Sequence, residues 1–429
     1  MDNNNKNMSN LERTLKHHLD RRRASSTLRN LTVSPSSAVD FSSNDFLSLS
    51  TSPALRAAYL QELQRDSSFR IGSGGSRLLD GNSEYAEVLE RDIAAFHNAP
   101  AGLLCNSGFD ANAGIFACIP QPNDVVVYDA FIHASVHDGM RLSRAKRIAF
   151  EHNSVEDLQK VLEGCVAGDD SIRRGRRNVF VAVEAVYSMD GDLSPLKAIV
   201  EVVERLLPQR NGHVIVDEAH STGALGSRGR GLVCELGLEG RVFARLHTFG
   251  KALACNGAII LCSPVVRHYL INYSRPLIYT TFMSYPSLAA IRAAYSLLWD
   301  GHTEPLQLHL RSLVEELFSR LQALRARYAG VPDIDHWIQV PSEAPVSPIF
   351  AVLTSQPRSL ARHCQEGGFV VRAVVPPTVP EGTSRIRICV HAGNTSQQIR
   401  RLVDRIDSWL RLHTASDKLM EASPERARL

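Results

Sequence analysis

The chain has 429 residues, 44% hydrophobic and 22% charged, a composition that suits a soluble globular protein with a large core and excludes a disordered tail or a fibre. A formal net charge of +3 is too small to imply a nucleic-acid partner, and the basic clusters at 21–23 and 173–177 read as solvated faces. The eight cysteines contain no C-x-x-C pair, which argues for free thiols and no metal site, and no run nears the roughly 18 apolar residues of a membrane span.

In chain order, residues 1–43 are expected to form an N-terminal arm, a basic amphipathic helix and then a Ser/Pro-containing connector. Its start, "MDNNNKNMSN", lacks the apolar core of a secretory signal, and Asp2, Glu12 and Asp20 count against a mitochondrial presequence. A large domain is expected over 44–289. Within it "GSGGSR" (72–77) lets backbone approach a ligand closely, or is a plain turn. "NSGFDAN" (106–112) puts Ser107 and Gly108 at a strand-to-helix turn whose free N–H groups suit a phosphate, or only cap the helix.

From about 100 to 262, short apolar runs alternate with turns and helix-like stretches, the pattern of a parallel α/β sheet. The runs "AGLLCNSGF", "DVVVYDAFIH", "NVFVAVEAVYS", "HVIVDEAH" and "ARLHTFGK" each deliver polar residues after their apolar part. Ser107, His133, Ser188, Asp217, His220 and Lys251 are thereby expected to share the carboxyl edge of the sheet, where open α/β sheets bind ligands. Taken alone, His133 is as well explained as an ordinary core histidine.

Asp217, at the end of an apolar run, is placed to hold a proton on a heterocyclic nitrogen; a helicase-like reading of "VIVDEAH" lacks the Walker A loop it needs. Lys251 is the sole formal charge from Leu246 to Val266. It either extends its head to water or is an amine of lowered pKa that bonds a carbonyl; a Walker A loop fails because Arg245 and Ala252 occupy its Gly and Ser/Thr positions. Thr248, three residues earlier, is near enough to contact a phosphate on whatever the lysine binds. Pyridoxal 5′-phosphate (PLP) satisfies lysine, carboxylate, imidazoles and phosphate cup together.

A second, α+β domain is expected over 290–413, from leucines at helical spacing in 305–328, the strand-like "SPIFAVL" and "RIRICVHAG", and a closing helix "TSQQIRRLVDRIDSWLRL". Arg385 and Arg387 fall on one face of an alternating strand, which suits a carboxylate grip. Residues 414–429 are expected to be a mobile tail, and Ala427-Arg428-Leu429 is similar to a peroxisomal address; without it a cytoplasmic location is expected.

The motifs "SSNDFLSLS", "GSGGSRLLDG", "NSGFDAN", "SMDGD", "VDEAHSTGALGSRGRG", "HTFGKA" and "PPTVPEGTSRIR", in this order within residues 11–412, closely resemble the α-oxoamine synthases, fold-type-I PLP-dependent enzymes. The resemblance implies a large mostly parallel-sheet domain and a smaller C-terminal α+β domain. It also implies that Lys251 carries PLP, that Asp217 pairs with the ring nitrogen, that His220 bonds the ring oxygen and that His133 stacks on the ring. Lys251, His133 and Asp217 are then catalytic. Ser107, Gly108, Phe109, Ser188 and Thr248 match further cofactor contacts, and Thr280 and Thr281 match threonines that reach the phosphate from a partner subunit, implying a homodimer with shared active sites. Arg29, Asn44, His133, Thr378 and Arg387 match substrate positions. The implied reaction joins an amino acid to an acyl-CoA with loss of CO2, and the expected pair is L-alanine and pimeloyl-CoA.

Sibling reactions are glycine C-acetyltransfer, 5-aminolevulinate synthesis, serine palmitoyltransfer and release of polyketide chains. A non-catalytic scaffold subunit is the reading from another class. The chain departs from the family pattern in a short segment between Leu31 and Phe41 and in Val375, which stands where many members have arginine before Pro-Pro-Thr.

Overall fold

The computed structural model describes residues 8–25, 27–65 and 68–421, with side chains as far as Thr414. The chain divides into two units, 1–38 and 39–429. In the first, helix Asn10–Ala24 opens on a reciprocal Ser9–Glu12 capping box, ends in Arg21, Arg22 and Arg23, and buries no residue. Leu11, Leu15 and Leu19 line one exposed stripe of it, as their four-residue spacing requires. Arg29 belongs to this unit and is exposed.

The second unit is built around a mostly parallel sheet. Among the described residues its strands are β1 (Ala101–Cys105), β2 (Val125–Asp129), β3 (Lys146–Phe150), β4 (Val179–Glu184), β5 (Gly212–Asp217), β6 (Ala244–Thr248) and β7 (Ala258–Cys262). They lie in the order β1-β7-β6-β5-β4-β2-β3. All pairs are parallel except those of β7, which runs antiparallel to both neighbours. The five expected runs are β1, β2, β4, β5 and β6. Reading the region as uniformly parallel misses the reversal at β7, and β3 and β7 are both absent from the expected runs, β3 because "KRIAF" opens on two charges and only Phe150 is buried.

Strand alternation sorts the apolar residues into two cores. Val125, Val127, Val179, Val181, Val183, Val214 and Val216 pack on one face beneath helices Val155–Gly168 and Leu196–Leu206. Val126, Phe180, Ala182, Ile215 and Leu246 pack on the other, beneath Gly108–Cys118 and Ala134–Leu142. Sheets covered on both faces need apolar residues at successive positions, which is why these runs do not alternate with polar residues.

Beyond helix Tyr285–Trp299 and the long helix Glu304–Arg327, a separate antiparallel sheet contains β8 (Ile349–Leu353), β9 (Arg372–Val374) and β10 (Arg385–Cys389), in the order β9-β10-β8. The closing helix, Ser396–Glu421, continues past residue 414, where the tail was expected to begin. Ala427-Arg428-Leu429 lies outside the described residues. All eight cysteines are free. Among the described residues no helix is long and apolar enough to cross a membrane, and no cluster of three or more potential metal ligands occurs.

Candidate active site

The carboxyl ends of the parallel strands converge as the run endings require. Glu184 and Asp217 close β4 and β5 in register with one another, so both carboxyl groups emerge on the same face of the sheet. Asp217 is 7% exposed and held from both sides: Asn112 Nδ2 donates to Oδ2 at 2.7 Å and Ala219 N–H to Oδ1 at 2.9 Å. Asn112 also donates to Ser135 Oγ at 3.0 Å, and Ser135 Oγ lies 2.8 Å from His133 Nδ1. His133 caps helix Ala134–Leu142, with Nδ1 accepting from Ser135 N–H. Burial, with the Lys251 charge, lowers the His133 pKa against the opposing pull of Asp217, leaving a neutral ring.

Lys251 Nζ lies 2.8 Å from His220 Nε2. Burial is the largest influence on the amine and, with Arg387, lowers its pKa to about 8 against the opposing charges of Asp217 and Glu184. His220 is driven well below the imidazole range by burial and by Lys251, Arg387 and His133, so its Nε2 accepts from the amine. Its Nδ1 is buried without a partner. Glu184 is also buried, and desolvation together with the Asp217 charge pushes its carboxyl well above the usual range, against the pull of Lys251.

The turn after β1 supplies the anion end. Ser107 caps helix Gly108–Cys118 by accepting from Asp110 N–H at 3.0 Å, and Gly108 abuts Thr248 so closely that an added Cβ would meet Thr248 Oγ1 at 3.3 Å. N–H groups of the first helical turn, at Gly108 and Phe109, are the ones a phosphate meets. Thr280 and Thr281 are exposed, and Thr281 O accepts from Asn106 Nδ2 at 2.8 Å, one residue before the Ser107 cap.

Arg387 is 8% exposed on β10, donating from Nε to Ser188 O at 2.6 Å and from Nη2 to Asn44 Oδ1 at 2.8 Å. The structure thus brings together Asn44, Ser188 and Arg387. Arg385 is not available for the expected grip: it pairs with Asp190 and donates to Thr383 O. Thr378 is exposed and donates its N–H to Val375 O at 3.0 Å. Arg29 lies in the other unit.

Two site residues escaped the sequence reading, Asn112 and Glu184. Glu184 carried the signal that picked out Lys251, a single formal charge within the apolar run "VFVAVEAVY". Asn112 stands one helical turn after Gly108, on the face that looks back into the site.

PLP was tested against these groups. An amine of lowered pKa suits a carbonyl, and a buried carboxylate with lone pairs to spare suits a protonated ring nitrogen. The orphaned His220 nitrogen marks a polar site incompletely satisfied by protein, and the helix N-terminus beside Thr248 suits a phosphate. The residues fit the cofactor.

Comparison with known proteins agrees. The family described as aminotransferase class I and II matches residues 36–406. The chain is 55% identical over 402 residues to 8-amino-7-oxononanoate synthase of Emericella nidulans, covering 93% of this chain and 96% of that protein. It is 40% identical over 401 residues to the aminoacyl transferase sphA of Aspergillus fumigatus, covering 91% and 85%. A solved serine palmitoyltransferase with PLP superposes with a TM-score of 0.80 at 24% identity, covering 95% of this chain and all of that one.

Proposed function

The chain belongs to the class I and II aminotransferase family, as a fold-type-I PLP-dependent acyltransferase of the α-oxoamine synthase group, and we propose that it condenses L-alanine with pimeloyl-CoA, releasing CoA and CO2 and forming 8-amino-7-oxononanoate for biotin synthesis. The observation that carries the chemistry is the Lys251 amine, its pKa lowered to about 8 in a pocket that also holds the Asp217 carboxylate. The name of the Emericella nidulans relative supports the substrates.

Bound at Lys251, PLP supplies the electron sink that makes proton removal from the amino-acid α-carbon feasible. Lys251 Nζ, once displaced, accepts that proton and later returns one. Asp217 holds the proton on the ring nitrogen, with Asn112 and Ala219 fixing the carboxylate in place. His133, its tautomer set by Ser135, would stack on the ring, and His220 Nε2 would be available to the ring oxygen. Ser107, Gly108, Phe109 and Thr248 take the phosphate, with Thr280 and Thr281 of a second copy completing it in a homodimer. Arg387, steadied by Asn44, receives the amino-acid carboxylate, and Ser188 contacts the cofactor. Thr378 would meet the acyl substrate. The deprotonated α-carbon would bond to the thioester carbonyl carbon as the C–S bond breaks and CoA leaves as its thiolate, and loss of CO2 would leave on the α-carbon an electron pair that the Lys251 ammonium protonates.

A second reading is favoured by the 40% identity to sphA and by Val375, an apolar side chain that cannot grip a distal carboxylate: a sibling synthase using another amino acid or acyl thioester. Arg372 is exposed and in register with Arg387, which puts the two side chains on one face of the sheet, while Val375 lies beyond the end of β9. CoA release is to be measured with pimeloyl-, octanoyl-, acetyl- and palmitoyl-CoA, each with alanine, glycine and serine. Pimeloyl-CoA with alanine is expected to give the highest kcat/KM, with modest discrimination against octanoyl-CoA. A best pair of acetyl-CoA with glycine or palmitoyl-CoA with serine, ahead by about tenfold or 1.4 kcal/mol, would replace the assignment by a sibling.

A further inference from the structure

Below the ring-facing residues lies a charged cluster with no part in the steps above. His152 follows β3, and its two ring nitrogens reach two carboxylates: Nδ1 lies 2.8 Å from Asp129 Oδ1 and Nε2 lies 2.8 Å from Asp192 Oδ2. Both nitrogens can donate together only in the imidazolium form. The ring stacks on Phe131 at 4.2 Å between centroids and meets the edge of Tyr187 at 4.4 Å. Asn153 doubles the connection, its N–H donating to Asp129 Oδ2 at 2.8 Å and its Nδ2 to Asp192 Oδ2 at 2.6 Å.

These contacts join three segments. Asp129 ends β2 and begins the loop that delivers His133, and Phe131 lies within that loop. Tyr187 and Asp192 flank the turn that delivers Ser188, a turn closed by the Val186–Leu193 bridge and by Tyr187 N–H donating to Asp192 O at 3.0 Å. Asp129 is fully buried, so its oxygens need partners, and these are Phe131 N–H, Asn153 N–H and the His152 ring. We propose that His152 is a positioning residue: a charged clasp that locks the His133 loop to the Ser188 turn and so fixes two groups that hold the cofactor at the ends of the neighbouring strands β2 and β4. Burial disfavours the charge on His152, but hydrogen bonds and charges from Asp129 and Asp192 outweigh it and raise its pKa to about 9, so the clasp stays closed at neutral pH. The groups facing it are Asp129 from β2 and Asp192 and the Tyr187 phenol from the turn after β4.

The inference rests on the reading of this cleft as a PLP site, and its test separates the two. His152→Phe keeps an aromatic ring between Phe131 and Tyr187 and removes the charge; His152→Arg keeps a charge with several donors. PLP affinity, visible circular dichroism of the bound cofactor and thermal midpoint are to be measured for each holoenzyme. His152→Phe is expected to bind PLP about tenfold more weakly, a factor that corresponds to about 1.4 kcal/mol, and to lose visible dichroism, while far-ultraviolet dichroism is unchanged. His152→Arg should recover most of both. If His152→Phe fails to fold, Asp192→Asn decides, since it removes one carboxylate from the solvent side of the clasp; it should weaken PLP binding and dichroism in the same direction. Wild-type affinity and dichroism in His152→Phe, or in Asp192→Asn where that variant decides, overturns the clasp, as does an equal loss in the Phe and Arg variants. A wild-type protein without PLP instead overturns the underlying reading.

Discussion

Lys251→Ala is expected to abolish turnover while leaving the fold intact, with a loss beyond the roughly 10⁴-fold upper range for a single general acid–base group, because the same nitrogen anchors the cofactor and moves the α-proton. Borohydride reduction of the wild-type protein should fix PLP to the peptide containing Lys251 and leave Lys251→Ala unlabelled. Multiple turnovers at the original rate in the variant would remove Lys251 from the mechanism. The amine is also a cost to folding. Its folded pKa, about 8, lies below the ordinary 10.5, so between those values the unfolded chain binds more protons and the stability of the cofactor-free protein rises with pH. Below pH 8 the penalty is complete, of order up to about 3 kcal/mol. The cofactor-free Lys251→Ala protein should therefore melt higher than cofactor-free wild type at neutral pH, and the gap should narrow as pH rises from 8 towards 10.5. Capture of PLP should accelerate across pH 8, since the neutral amine is the nucleophile. A capture rate flat through that range would contradict the lowered pKa.

The sheet edge was legible because sheets covered on both faces write themselves as uninterrupted apolar runs, and because each run ended in the polar residue that the site uses. Lys251, Asp217, His220 and His133 were singled out by that rule, and Thr248 by its distance of three residues from Lys251. It worked less well where burial is not continuous: β3 alternates in exposure, and only its last residue, Phe150, is buried. The direction of β7 was invisible for another reason, since "AIILC" reads the same whichever way it pairs. Side-chain partners were the least legible. Arg385 and Arg387 are equivalent by strand alternation, and only the position of Asp190 decides that one is paired with a carboxylate while the other meets the Asn44 amide oxygen. Asn112 and His152 meet partners far away in sequence, and nothing local distinguishes them from helix and turn residues, whereas Glu184 carries a local signal, a lone formal charge in an apolar run.

Asp217→Asn is the sharper test, because it changes charge and almost nothing else. An asparagine Oδ1 can still accept one of the two present bonds, from Asn112 Nδ2 or from Ala219 N–H, so the side chain should keep its place and the variant should still bind PLP. What disappears is the anion opposite the ring nitrogen. A hydrogen bond to a charged group is worth about 1.5 to 3 kcal/mol, so α-proton exchange should slow by at least about tenfold and up to about a hundredfold. Two neighbours should respond in predictable directions. Asp217 raises the pKa of Lys251, so without it the amine should titrate lower, and PLP capture should begin at lower pH than in wild type. Its charge also raises the pKa of Glu184, so that carboxyl should ionise more readily in the variant. An ionised Glu184 in the same pocket would then restore part of the lost negative charge, which is why the double variant Asp217→Asn/Glu184→Gln is expected to lose more activity than the product of the single losses. α-Deuterium exchange of alanine, followed by proton NMR across pH for the four proteins, measures all of this. Exchange at the wild-type rate in Asp217→Asn would sink the role of Asp217, and strictly multiplicative losses would sink the compensation by Glu184.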